Sequence, residues 1–195
     1  MWIFIAFLSM HFVLAESVTS IDLPVGGTYD LAINYINNKT YVSTNDDLVL
    51  VVDGNTNKVV ANATAGLVNG VAVNPLTGKV YVSEARSSKI LVMDGKTDLI
   101  VDNISSLGYT PDDIIVDPTK GDVYAVSLLA DSVINIDGDT NQINERIHVG
   151  ETPARIAVNP DKGKIYVSNY GTNTVSVIDT VSSKIVANVT VGDLC

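Results

Sequence analysis

The sequence holds one cysteine, Cys195, and it is the last residue. No intrachain disulfide and no cysteine metal cluster can be built from it, so cysteine usage says nothing of redox compartment. Positive charge is also scarce: 12 Lys and Arg stand against 22 Asp and Glu, for a formal net charge of -10. Such acidity disfavours phosphate backbones and anionic membrane surfaces, so no nucleic acid is expected as a partner. Histidine occurs only as His11 and His148, too little for a nucleophile, a base and an orienting group, or for haem ligation. Beyond residue 15 no segment carries apolar residues at helical spacing. What is present is 46% apolar residues over 195 positions, enough for one domain with a sizeable core.

The apolar residues begin with an uncharged run, Met1 to Ala15 (MWIFIAFLSMHFVLA). It is shorter than the roughly 20 residues that span a bilayer. It ends on Val13-Leu14-Ala15, with a small residue where a signal peptidase needs one. Residues 1–15 therefore read as an export signal, and the mature chain, with no membrane span of its own, is expected to be secreted or at the cell surface. An uncleaved membrane anchor is the competing reading.

The rest of the chain repeats. Gly66, Gly108, Gly150 and Gly192 fall at a constant period, and Tyr41, Tyr81, Tyr124 and Tyr166 keep step with Asp53, Asp94, Asp137 and Asp179. A fixed period of about 40 residues determines the whole architecture. The last copy shows the internal grammar: ARIAVNP, closed by Asn159-Pro160, then KIYVSN, TVSVID and KIVANVTVG, each set off by a turn. These are short, β-branched runs with frequent turn residues, which predicts four strands per unit. The middle strands are apolar on both faces and must be covered on both sides. The expected fold is all-β: a β-propeller of four-stranded antiparallel blades, with blades at 28–66, 67–108, 109–150 and 151–192.

Tyr166-Val167-Ser168-Asn169, then Thr174 to Asp179, preceded by Ala157-Val158-Asn159-Pro160, resembles the YVTN β-propeller repeat family. Tyr81-Val82-Ser83-Glu84 and Tyr41-Val42-Ser43-Thr44 keep the pattern, while the third copy departs as Tyr124-Ala125-Val126-Ser127. The resemblance covers about Gly26 to Gly192 and implies an archaeal surface-layer-like exported protein. It speaks for fold more strongly than for function, because one fold hosts many functions.

Residues 16–27 are similar to the end of a unit and read as a lone outer strand, although the fourth unit already has its own outer strand. With residues 193–195 as a tail that halts where another unit should open, an incomplete, truncated ring is expected. Open end blades expose apolar faces, which makes self-association an expectation as well.

Individual residues divide into structural and recognition candidates. The four repeated aspartates read as turn caps, because an Asp carboxylate accepts backbone N–H groups two residues on. Asp137-Gly138-Asp139 imitates a calcium loop, but Gln142 and His148 stand where Gly and Glu are required. Neither a catalytic residue, nor a metal, nor a cofactor is expected. Asn38, Asn62, Asn103 and Asn188 each open an Asn-x-Ser/Thr sequon and are candidates for N-glycosylation of an exported protein. The loops between second and third strands differ most among copies, which makes Asp46, Asp47, Arg86 and Tyr170 the candidate binding face.

The expected function is non-catalytic: an exported propeller contacting an unknown protein or surface component. The alternative is a piece of a propeller enzyme or cofactor-binding protein, lactonase-like or haem d1 domain-like. A periplasmic-type nucleic-acid binder is the third reading.

Overall fold

A computed structural model describes residues 20–23, 26–105 and 107–192. The expected export signal at 1–15 and the tail at 193–195 lie outside the described residues. Four antiparallel sheets follow one another along the chain. Blade 1 holds β1 (Thr28–Asn34), β2 (Lys39–Thr44), β3 (Leu48–Asp53) and β4 (Lys58–Thr64). Blade 2 holds β5 (Val68–Val73), β6 (Lys79–Glu84), β7 (Lys89–Asp94) and β8 (Leu99–Ile104). Blade 3 is built from β9 (Asp113–Val116), β10 (Val123–Ser127), β11 (Ser132–Ile136) and β12 (Ile143–His148). Blade 4 is built from β13 (Pro153–Asn159), β14 (Lys164–Asn169), β15 (Thr174–Asp179) and β16 (Lys184–Thr190). Among the described residues the only helical pieces are two single 3-10 turns, Leu128–Ala130 and Pro160–Lys162. No described helix is long and apolar enough to cross a membrane.

The lone outer strand expected over 16–27 is not formed by its described residues. Residues 20–23 and 26–27 lie outside any strand, and 16–19 and 24–25 lie outside the described residues. The segment is held by other means: Gly26 N–H donates to the Asp46 carboxylate at 2.8 Å, and Asn45 N–H to the Gly27 carbonyl at 3.1 Å. Leu23 lies over Val42, Leu50 and Val52 of blade 1.

The middle strands of blade 3 are covered on both faces, as their two-sided apolar pattern requires, whereas in β14 of blade 4 Tyr166 is exposed. All five residues of β10 and all five of β11 are buried. The core is three seams, each formed where one blade packs against the next. Tyr41, Val49 and Val51 meet Val71, Val80 and Met93; Tyr81, Ile90 and Val92 meet Ile114, Val123 and Ile136; Tyr124 and Val133 meet Ile156, Ile165 and Ile178. Full burial of each such aliphatic side chain contributes about 1.5–3 kcal/mol, so the seams hold the blades in place.

The repeated aspartates cap the turn between third and fourth strands. In blade 3, Asp137 Oδ1 accepts from Asp139 N–H at 3.0 Å, Thr140 N–H at 2.7 Å and Thr140 Oγ1 at 2.9 Å. Asp53, Asp94 and Asp179 make the same three contacts in their own blades. These hydrogen bonds to the charged form hold all four carboxyls below the usual carboxylate range, with the Lys164 ammonium the largest influence on Asp179.

At this turn end a polar latch joins successive blades. Asn74 Nδ2 of blade 2 donates to the Gly121 carbonyl of blade 3 at 3.0 Å. Lys79 Nζ and Tyr81 Oη donate to the Gly138 carbonyl at 2.9 and 2.8 Å, and both reach Asn141 Oδ1. The seam between blades 1 and 2 repeats the set. Asn34 bonds the Gly78 carbonyl, Lys39 pairs with Asp98 at 2.6 Å, and Tyr41 bonds both the Gly95 carbonyl and Asp98. Glycine is required at 138 by contact, because a Cβ there would lie 1.9 Å from the Gly121 carbonyl oxygen.

Candidate functional site

The pairing of Thr28 with Thr44 places the starts of the inner strands at the same end as the turns between second and third strands. At that end residues from all four blades line a funnel of about 670 Å3. Its wall includes Tyr29 and Asp30 from blade 1, Asn69 from blade 2, Asp112 and Asp113 from blade 3, and Arg155 from blade 4. These residues stand at corresponding places in the units, and what the units do not share is what the funnel displays: Asp30, Gly70, Asp113 and Arg155 occupy one such position.

The inward carboxylates bond backbone. Asp30 Oδ2 accepts from Val71 N–H of the next blade at 2.9 Å, and Oδ1 from Leu31 N–H at 2.8 Å. Asp113 repeats this, with Ile156 N–H of blade 4 at 3.1 Å and Ile114 N–H at 3.0 Å. At the seam between blades 2 and 3 Gly70 takes that position, and a Cβ on it would sit 3.2 Å from the Ile114 nitrogen. Asp112 Oδ2 accepts from Leu128 N–H at 3.0 Å, tying the loop of blade 3 to its inner strand.

Burial pushes the Asp113 carboxyl up from its ordinary value; the backbone donors and the charge of Arg155 partly offset this, and the charge of Asp30 adds to it. Arg155 is exposed, as is Tyr29, at 58%. The funnel thus offers an aromatic face, amide and carboxylate acceptors, and one guanidinium fork. Among the described residues no group of three or more His, Cys, Asp or Glu is arranged to hold a metal ion.

The loop residues singled out from sequence lie at the same end of the blades but not among the residues that line the funnel, and three of the four are engaged within the chain. Arg86 Nη1 meets Asp47 Oδ2 at 3.0 Å across blades 1 and 2, and Asp46 holds Gly26. The pair is an exposed one, of a kind that contributes about 0–1 kcal/mol. Tyr170 is 63% exposed, with its backbone N–H on the Thr152 carbonyl. The sequons lie elsewhere. Asn62, Asn103 and Asn188 are exposed on β4, β8 and β16, opposite Leu50, Leu91 and Ser176, with Arg146 at the matching place opposite Ile134. Asn38 sits in the first turn of blade 1, at a φ of 55°.

The funnel residues Asp30, Asn69, Asp112, Asp113 and Arg155 are not among the sequence candidates. The signal that finds them is an alignment of the units at the start of the inner strand, where neighbouring apolar positions agree and this position does not.

A family model described as arylesterase matches residues 29–134, more than half of the chain. No curated protein matches the sequence. Among solved structures, Kuenenia stuttgartiensis hydrazine synthase superposes with a TM-score of 0.77 at 20% identity, over 89% of this chain and 51% of that one. Dihydro-heme d1 dehydrogenase NirN, solved in complex with DHE, superposes with a TM-score of 0.74 at 17% identity, over 86% of this chain and 38% of that one. At such identities the likeness is one of fold, and the chain spans about half of the first structure or less of the second. Both matches agree with a propeller.

Proposed function

The chain belongs to the arylesterase family, and on that premise we propose that it is an exported propeller domain that binds a small organic ligand in its funnel without turning it over. The observation that carries this reading is the use made of the inward carboxylates. Asp30 and Asp113 each give both oxygens to backbone N–H groups, one of them on the next blade. The Oδ2 atoms hold blades together, and the backbone donors on both oxygens favour the charged carboxylate over one that has taken a proton from water or a nucleophile. Recognition is left to Tyr29, Asn69 and Arg155, with the ring of Tyr29 offering a stacking face and the guanidinium of Arg155 a planar fork for a carbonyl or carboxylate oxygen. The YVTN-like repeats and the apolar leader support a place at the cell surface, with the ligand or a surface component as the partner.

A second reading, hydrolysis of aryl esters, is favoured by the family and by one observation. Burial raises the carboxyl of Asp113 in spite of the backbone donors and the charge of Arg155, and raised carboxyls are suited to acid-base work. Saturation-transfer NMR with phenyl acetate, run beside a phenol-release assay, separates the two. Binding alone predicts transfer to the ester ring that Tyr29→Ala and Arg155→Ala each weaken, with phenol released at the buffer rate. Phenol release above that rate, abolished in Asp113→Asn, establishes hydrolysis and overturns the binding-only reading. No transfer at all removes the funnel as the site.

A further inference from the structure

Among the described residues five buried side-chain oxygens have no hydrogen-bond partner, and three of them lie in the seam between blades 3 and 4. These are Asp117 Oδ2, Tyr124 Oη and Asn135 Oδ1, on residues 1%, 0% and 4% exposed. Tyr124 and Asn135 are opposite one another on β10 and β11 and so share a face, which packs on Ile165 and Ile178 and sends Asn135 Nδ2 to Ser183 Oγ at 3.3 Å. The seam between blades 2 and 3 shows where Asp117 joins them. There a Cβ on Gly138 would lie 2.9 Å from Asn74 Nδ2, and the Gly138 carbonyl is 2.8 Å from Tyr81 Oη, so the two side chains close on one peptide. Asp117 and Tyr124 hold those places in blade 3, with Thr180 of blade 4 at the place of Gly138. The three oxygens therefore converge.

At this seam the chain has exchanged donors for acceptors. Asp117 stands where Asn34 and Asn74 donate to a carbonyl of the next blade, and Asp122 where the ammonium groups of Lys39 and Lys79 reach across. Asn135 stands where Val51 and Val92 face Tyr41 and Tyr81. Two carboxylates thus replace an amide and an ammonium, and Lys120 returns only one positive charge, on the Thr180 carbonyl at 2.7 Å and Oγ1 at 3.1 Å. Burial raises the Asp122 carboxyl; Lys120 partly offsets this, and the charges of Asp137, Asp117 and Asp139 add to it, so the surrounding field is negative. The carbonyl of Gly163 holds the place of the Gly121 carbonyl that Asn74 grips; it takes the Thr180 N–H at 3.0 Å and keeps a second lone pair. An ionised carboxylate and a carbonyl have no proton to share between them.

We infer that this seam binds a calcium ion, held by Asp117 Oδ2, Asn135 Oδ1 and Tyr124 Oη of blade 3 and the Gly163 carbonyl of blade 4. The set is all oxygen, with no thiolate or imidazole to select a softer metal. Calcium takes about 6–8 carboxylate, carbonyl and water oxygens in a flexible geometry, whereas magnesium demands a near-ideal octahedron and gives up its water reluctantly. An uneven protein set completed by water suits calcium. The ion does at this seam what the amide and the ammonium do at the other two, drawing together oxygens of adjoining blades, and Asp122 adds negative charge that attracts it. With one fully buried carboxylate in the set, binding falls in the weak range, about 10⁻⁴–10⁻³ M. The site lies at the latch end of the blades, opposite the funnel.

Thermal unfolding of the full chain, freed of metal by a chelator and then titrated with calcium chloride or magnesium chloride, tests the site. The wild-type Tm is expected to rise with calcium, with a midpoint in that weak range, and to respond less to magnesium at the same concentration. Asp117→Asn, which has lost the charged ligand, is expected to be the more stable protein in chelator and to show no rise with calcium. Terbium, a calcium mimic whose emission is excited through an adjacent tyrosine, gives a second readout in which Tyr124→Phe removes the calcium-reversible emission. In the wild type, calcium lowers deuterium uptake in residues 116–124 and 178–183. A wild-type Tm that calcium does not raise, a rise that Asp117→Asn retains, an equal response to magnesium, emission unchanged in Tyr124→Phe, or protection that falls elsewhere each overturns the inference.

Discussion

Asp117→Asn is expected to stabilise the protein. Asp117 closes the inner strand of blade 3, where blades 1 and 2 carry Asn34 and Asn74. All three are almost fully buried. Asn74 divides its amide between two tasks: Oδ1 accepts from Leu76 and Thr77 N–H in its own turn, and Nδ2 donates to the Gly121 carbonyl of the next blade. Asp117 performs the first, with Oδ1 on Thr119 N–H at 2.9 Å and Thr119 Oγ1 at 2.7 Å. It has no proton for the second when ionised, and its Oδ2 is buried without a hydrogen-bond partner. An unsatisfied buried acceptor costs about 1–3 kcal/mol, more when charged, and a new hydrogen bond contributes about 1 kcal/mol. The substitution removes the first and supplies the second, toward the Gly163 carbonyl. A gain of about 2–4 kcal/mol follows, which for a chain of this size raises Tm by roughly 2–4 °C per kcal/mol. The reciprocal change, Asn74→Asp, is expected to lower stability by a similar amount. Urea unfolding followed by far-UV circular dichroism measures both at neutral pH. A loss of stability in Asp117→Asn, or equal losses in the two variants, refutes the latch as an energetic unit.

Tyr81→Phe deletes bonds to the Gly138 carbonyl and Asn141 and is expected to cost about 1 kcal/mol in the same assay, whereas Tyr124→Phe removes a buried hydroxyl that has no partner and is expected to be neutral or stabilising. Equal penalties at the two positions would contradict the assignment. Acid weakens the turn caps: Asp94 and Asp137 are held below the ordinary value of 3.8 by backbone and threonine donors, so their contribution is present above that pH and is lost as pH falls through the lowered value. Asp113 and Asp122 are raised by burial and act with the opposite sign, losing their contribution as pH rises through the raised value. A scan of Tm below pH 4 is expected to show a decline that Asp94→Asn and Asp137→Asn together make shallower; an unchanged slope refutes the capping account. Peptide mass mapping of protein from its native host is expected to find glycan on Asn62, Asn103 or Asn188, which are exposed on outer strands, and unmodified peptides at all three refute it.

The blades were legible because two-sided apolar runs between turn residues leave only a covered strand as a solution, and a period counts them. The turn caps were legible for a related reason: Asp53, Asp94, Asp137 and Asp179 act on residues two and three positions on, so the local sequence contains the whole contact. Asp30 and Asp113 were not legible because their partners, Val71 and Ile156, lie 41 and 43 residues away in the next unit. The ion pair of Asp47 with Arg86, 39 residues apart, has the same character. The sequence marks these residues as a binding face, since divergence among units accompanies recognition and seam repair alike. The departures of the third unit were visible as departures. Their cost was not, because an Asp in place of an Asn matters only through the carbonyl on the neighbouring blade.

That cost is concentrated at one seam, and it sets the order in which the array comes apart. Stability in a repeat array is roughly a sum of unit terms and nearest-neighbour interfaces. Between blades 3 and 4 the latch is reduced to Lys120 Nζ on Thr180 at 2.7 Å and Asn135 Nδ2 on Ser183 at 3.3 Å, while Asp117 Oδ2, Tyr124 Oη and Asn135 Oδ1 are left unpaired. Between blades 1 and 2 the latch is complete, and the inner-strand bonds of Asp30 to Val71 and of Asp113 to Ile156 serve the two seams alike. Among the described residues blades 1 and 4 are each held by one seam, so the two can be compared directly. Native-state hydrogen exchange is expected to show β14 and β15 opening at a lower free energy than β2 and β3, with the gap narrowed when Asp117→Asn is added. Equal protection of the two end blades, or a gap that Asp117→Asn leaves unchanged, means that apolar packing alone holds the seams and that the latch contributes nothing to the order of opening.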